Sequence, residues 1–251
     1  MTRTTQTQTQ TTSTTNVEVR RAETRGTTQV GWLDSRHSFS FGRYTDRSRM
    51  GFGALRVIND DRVAPSGGFP EHPHRDMEIL SWVVDGELRH QDSTGAGHTA
   101  TRGTLQAMTA GSGVTHSEFN PSSASPVRFL QIWIIPERDG AEPNYRQRDF
   151  DADINGALVP VATPTGEGDS LTIQQDVRVL ATRLDVQQSV AHTPAAGRAT
   201  YVQIVRGSAT VAGEQVSEGD AVIVRGAQSV EPVTITADAV GVEALVFDLV
   251  E

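Results

Sequence analysis

The chain has 251 residues, room for one large domain or two small ones that each bury a core. Its formal charge of −9, from 31 acidic and 22 basic side chains without any Lys/Arg-rich run, argues against direct nucleic-acid or membrane binding. Cysteine is absent, which excludes disulfides and thiolate metal sites, and no run approaches the ~20 apolar residues of a membrane span.

Residues 1–16 form a Thr/Gln-rich tract too polar to offset the entropy of ordering, so a disordered tail is expected. The N-terminus also lacks the apolar core of a signal peptide, which makes the cytoplasm the expected location. From Gly31 to Gly42, Phe39 and Phe41 alternate with small polar residues as in a half-buried strand. His37 lies in this segment and receives no role. Leu55–Asp61 reads as a strand, and the loop Pro65–Pro70 leads into His72-Pro73-His74. Ile79–Val84 is β-branched and aromatic, and Asp85-Gly86 after it is a hairpin signal because the turn needs a positive φ. Leu105–Met108 is another short strand, and Gly111-Ser112-Gly113 turns the chain into His116. Val127–Ile135 is apolar on both faces, as a central strand is, and stops at Pro136.

Short strands separated by turns about every ten residues predict an all-β sandwich or barrel. The Pro/Gly/Asp/Asn-rich stretch 138–170 reads as a linker with little core. Strand rhythm then resumes at Val177–Ala181, Tyr201–Val205 and Ala221–Val224. The expected organisation is a tail (1–16), a metal-binding domain (17–137), the linker, and a second domain (171–251) without a metal site. Aligning Gly207 with Gly86 and Gly219 with Gly103 sets Thr193, Ala195, Pro232 and Thr234 against His72, His74, His116 and Glu118. None of the four replacements is a good ligand, and His192 is the only histidine of the second half.

The chemistry concentrates between Gly67 and Asn120. A strand points alternate side chains the same way, so His72 and His74 leave one face together, as do His116 and Glu118. On neighbouring strands, three imidazoles and one carboxylate would converge on one point. That donor set suits a divalent first-row metal and leaves iron, manganese, nickel, copper and zinc open.

Gly67-x-x-x-x-His72-x-His74-x-x-x-Glu78 followed by Gly86 resembles the first cupin motif, and Gly113-x-x-His116-x-x-x-Asn120 the second. Together with His37-Ser38-Phe39-Ser40-Phe41-Gly42 and Gly86-Glu87-Leu88-x-His90-x-Asp92-Ser93, they resemble the pirins, nearest to bacterial pirin-like quercetin 2,3-dioxygenases. The likeness spans about 31–136, with only a weak bicupin pattern behind it. It implies two tandem β-barrels with Fe(II) in the first, held by His72, His74, His116 and Glu118. It implies further that Glu118 doubles as general base while a flavonol reacts with dioxygen and releases carbon monoxide. Glu78, a ligand in many other cupins, is then expected to fix an imidazole tautomer from outside the ligand set. The same resemblance carries an alternative, a metal-binding regulator that acts through a protein partner.

Overall fold

The structure is a computed structural model that describes residues 16–226 and 231–251. The expected tail therefore lies outside the described residues, except that Asn16 already belongs to a strand. In chain order the first strands are β1 (Asn16–Arg20), β2 (Gly26–Val30), β3 (Leu33–His37), β4 (Leu55–Val63), β5 (Gly68–His74) and β6 (Glu78–Asp85). They are followed by β7 (Glu87–Asp92), β8 (Gly97–Thr101), β9 (Thr104–Thr109), β10 (Val114–Phe119), β11 (Val127–Ile134) and β12 (Asn144–Asp149). The remainder are β13 (Val159–Thr163), β14 (Leu171–Thr172), β15 (Val177–Leu184), β16 (Ser189–His192), β17 (Ala199–Val211), β18 (Glu214–Ser217), β19 (Ala221–Arg225) and β20 (Val233–Leu249).

A seven-stranded sheet (β12-β9-β6-β11-β4-β3-β2) and a four-stranded one (β5-β10-β7-β8) form the front barrel. A nine-stranded sheet curls into the rear barrel, with β17 and β20 running through both of its walls. The rear repeats the front's pairing: β20 contacts β15, β16 and β17 as β10 and β11 contact β4, β5, β6 and β7. The fold is thus the two-barrel cupin architecture that the sequence leads one to expect.

Period-2 alternation explains how the halves join. On β6, Leu80, Trp82 and Val84 face a core shared with Val179, Tyr201, Leu245 and Phe247 of the rear barrel. The intervening Ile79, Ser81 and Val83 turn into the front barrel instead. β11 divides in the same manner, which is why its sequence is apolar on both faces. Two polar groups that cross this seam find partners on the other side. Trp82 Nε1 donates to Glu243 at 2.9 Å, and Arg128 grips Asp60 through two bonds of 2.9 Å while also donating to the Val205 carbonyl.

Two expectations require correction. The stretch 138–170 is not a core-poor linker: β12 pairs with β9, β13 pairs with β15, and Phe150, Ile154 and Val161 are fully buried in the shared core. Its polar composition reflects the edge strand β12 and the turns, whose outward positions dominate the sequence. The chain's first strand also belongs to the rear half. β1 lies on β19, from Asn16 opposite Arg225 to Arg20 opposite Ala221, just as β12 covers β9 in front.

Candidate metal centre

β5 and β10 are antiparallel neighbours, and their register sets His116 directly opposite His72. His74 leaves the same face as His72 because Pro73 between them turns outward. The three rings come together with centroids 4.8 Å (His72–His74), 4.5 Å (His72–His116) and 4.9 Å (His74–His116) apart. Trp133 of β11 packs edge-on against His74 at 5.0 Å.

Hydrogen bonds fix the tautomers of two of these rings. His72 Nδ1 donates to the Pro70 carbonyl at 2.8 Å, so its Nε2 carries the lone pair. His90 Nε2 donates to Asp92 at 2.8 Å, which leaves His90 Nδ1 to accept from His116 Nδ1 at 3.3 Å. His116 Nε2 is then also unprotonated. The two free Nε2 atoms face each other 3.1 Å apart, lone pair against lone pair, and neither can donate to the other. Such an arrangement calls for a cation between them, and the nitrogen-rich donor set fits a first-row divalent metal. Burial favours the neutral, ligating form: it lowers His74 to about 4 and, with the neighbouring imidazoles, His116 to about 2.

Glu118 lies past an irregularity in the β5–β10 register, opposite Phe69. Its carboxylate accepts from Gln131 Nε2 at 2.7 Å and lies 3.1 Å from Ser81 Oγ. Ser81 also lies 2.7 Å from Gln131 Oε1, so its single hydroxyl hydrogen serves one acceptor at a time. Burial raises Glu118 to about 7, and a protonated Glu118 can donate to Ser81 in turn. Two ligand-bearing groups result: His72, His74 and His116, and, sharing His116, the fully buried His90, His116 and Glu118. The histidines of the predicted set therefore meet, while Glu118 stands beside them on hydrogen bonds of its own.

Beside His72 and Glu118 opens a cavity of about 90 Å³, walled by Phe41, Phe69 and Trp133. His37, left without a role by the sequence, lines it, donating to Asn59 Oδ1 and accepting from Thr28, both at 2.8 Å. Asp61 lines it too, fully buried and raised to about 7 by that burial and by the charges of Asp60 and Glu118. Phe69 reaches this cavity from β5, whereas three other large apolar side chains near the motif do not. Phe52 lies in the core shared by the barrels, Met108 packs with Ile79 and Val114, and Phe119 is partly exposed.

Glu78 does not orient an imidazole. It stands on the β6 face opposite to Ser81, turned away from the histidines, and accepts from Thr109 at 3.0 Å. His90 and Asp92 do that work instead. Hydrogen bonds from Thr94 and His90 outweigh burial and hold Asp92 below the usual carboxylate range. Tyr145 stacks on the outer side of His90 at 4.2 Å, with His98 stacked beyond it at 5.5 Å. The signal for this relay was the His-x-Asp alternation directly after the Asp85-Gly86 turn.

The rear barrel offers nothing comparable among the described residues. Register corrects the sequence alignment by one position here. Arg89 pairs with Phe119, and its counterpart Thr210 with Thr236, so Val233 and Ile235 stand where His116 and Glu118 do. His192, opposite Val233, takes the place of His72, but its Nε2 pairs with Asp248 at 2.9 Å.

A tandem of barrels with a histidine-lined centre in the first and, among the described residues, none in the second defines a metal-binding bicupin, and the comparisons agree. The family described as Pirin matches residues 18–134, and one described as "Quercetinase C-terminal cupin domain" matches 160–249. A quercetin 2,3-dioxygenase of Escherichia coli K12 is 42% identical over 93% of this chain and 98% of its own. The crystal structure of YhhW from Escherichia coli superposes with a TM-score of 0.88 at 41% identity, covering 93% of this chain and 97% of that one. Bacterial pirin YhhW in complex with nickel(II) gives 0.87 at 40% identity, covering 93% and 99%. The chain belongs to the pirin family.

Proposed function

We propose that His72, His74, His116 and Glu118 hold one divalent cation, Fe(II) in the cell, and that the chain is a quercetin 2,3-dioxygenase-type oxidoreductase. The domain division that goes with this reading is a metal-binding front half and a structural rear half, working in the cytoplasm. The observation that carries it is the pair of unprotonated Nε2 atoms facing each other at 3.1 Å. Nickel, manganese, zinc and copper fit the same donors, and nickel is the ion named for the YhhW complex.

When bound, the cation would supply Lewis acidity to a flavonol's 3-hydroxyl and 4-carbonyl, for a reaction with dioxygen that opens the heterocycle and releases carbon monoxide. The protein's own part is positional and acid–base. Glu118, once it loosens from the cation, takes the 3-hydroxyl proton. Gln131 and Ser81 hold that carboxylate in place while it does so. Phe41, Phe69 and Trp133 keep water from the reacting face.

The test is oxygen uptake, quercetin loss and carbon monoxide release by the Fe(II)-loaded protein. Turnover by wild type, with metal content sharply lowered in His74→Ala and Glu118→Ala, is the expected result. Wild-type protein that carries the metal yet consumes no oxygen with quercetin sinks the enzymatic reading.

A further inference from the structure

Asp61 is a buried carboxyl in the cavity that the chemistry above leaves unused. It lies on β4, 3% exposed, and its Oδ1 has no hydrogen-bond partner in the protein. Across the β3–β4 ladder it stands opposite Ser35. A buried acceptor left unmatched is strongly disfavoured, so it marks a place where something else donates. Asp61 lines the cavity that Glu118 and His72 also line.

The size of the cavity limits what enters it. At about 90 Å³ it is smaller than the ~150 Å³ that takes up a whole benzene ring in an engineered core. A flavonol therefore stays mostly outside, and one hydroxyl-bearing edge of a ring goes in between Phe41, Phe69 and Trp133. The apolar walls accept the ring and Asp61 meets the hydroxyl.

We infer that Asp61 is a specificity residue: its free oxygen accepts a hydrogen bond from a substrate ring hydroxyl other than the one beside the 4-carbonyl. The inference rests on the flavonol reading of the site and narrows it to polyhydroxylated substrates. A site built around such a bond rejects the analogue without the hydroxyl, because the buried acceptor is then stranded.

The experiment compares quercetin with 3-hydroxyflavone, which keeps the hydroxyl–carbonyl pair and lacks the other hydroxyls. Oxygen uptake by the metal-loaded full chain gives kcat/KM for each, and quenching of tryptophan fluorescence gives binding. Wild type favours quercetin, and Asp61→Ala lowers the quercetin to 3-hydroxyflavone ratio by about tenfold or more in both readouts. Asp61→Asn, similar in size and still able to bond a hydroxyl, retains most of the preference and guards against simple misfolding. An unchanged ratio in Asp61→Ala overturns the inference, as expected if Asp61 meets only ordered water. A wild type without preference overturns it, and so does loss of metal from Asp61→Ala. If wild type binds both compounds but consumes no oxygen, the enzymatic reading fails alone and the binding ratio still decides the role of Asp61.

Discussion

His116 is held from behind. Asp92 fixes His90, and His90 fixes the Nδ1 proton of His116, so its Nε2 always faces the other histidines. Removing such a support typically weakens a metal site by about 10–100-fold. His90→Ala is expected to loosen Fe(II) or Ni(II) by that factor in a competition titration, with His192→Ala unchanged as the control. Asp61 gives a second expectation, in the metal-free protein. Burial raises it from 3.8 to about 7, so between those values the native chain keeps a proton that the unfolded chain has lost. Stability then falls as pH rises through the window, by up to about 4 kcal/mol. Asp61→Asn is expected to melt above wild type at pH 8, with the gap closing towards pH 4; a gap that is constant with pH refutes the shift. Sequence made the His-x-His and His-x-Glu pairs legible because period 2 puts each pair on one face. It could not assign His90, whose spacing to Asp92 gives a face but no neighbour. The role expected of Glu78 failed on the same rule, because an even count of residues separates it from Leu80 and Trp82 on the outward face of β6.

At the level of strands, turn glycines carried most of the legible fold. Gly86 has φ +77°, and a Cβ there would lie 2.6 Å from the Pro126 carbonyl oxygen. Its counterpart Gly207, φ +79°, meets the Gly241 carbonyl in the same way. Both positions combine left-handed backbone with close approach, so glycine marked the repeat even where the ligands had gone. Gly86→Ala is expected to lose about 1–3 kcal/mol in thermal or urea melts. Gly95→Ala, φ +92° with open space around it, suffers only the backbone term and should lose less. What the sequence hid was register. β17 shifts register between Gly207 and Ala209, and β10 between His116 and Glu118, and such irregularities leave no compositional trace. The offset in the rear alignment has another source: the chain is one residue longer from Val224 to Thr236 than from Met108 to Phe119. The edge strand β12 was hidden too, since a half-exposed strand rich in polar residues looks like a loop.

Across the molecule, the two barrels share one continuous core and one clasp. β1 leaves the rear barrel's edge, where Glu18 pairs with Arg225 at 2.8 Å and Asp220 receives the Ala22 amide at 2.7 Å. Val17 and Val19 pack against the rear core. Deleting the chain through Arg20 is expected to lower the melting temperature by on the order of 5–10 °C and to promote self-association through the bared β19 edge. Size-exclusion chromatography and a thermal melt check both.

The clasp also constrains synthesis. Asn16 leaves the ribosome early, yet its partner Arg225 is made more than two hundred residues later. A nascent front barrel can close soon after β12 emerges, but β1 stays unpaired until β19 has been made. Late docking of so distant a pair makes the last step of maturation the slow one, and it leaves the newborn chain exposed at one edge until then.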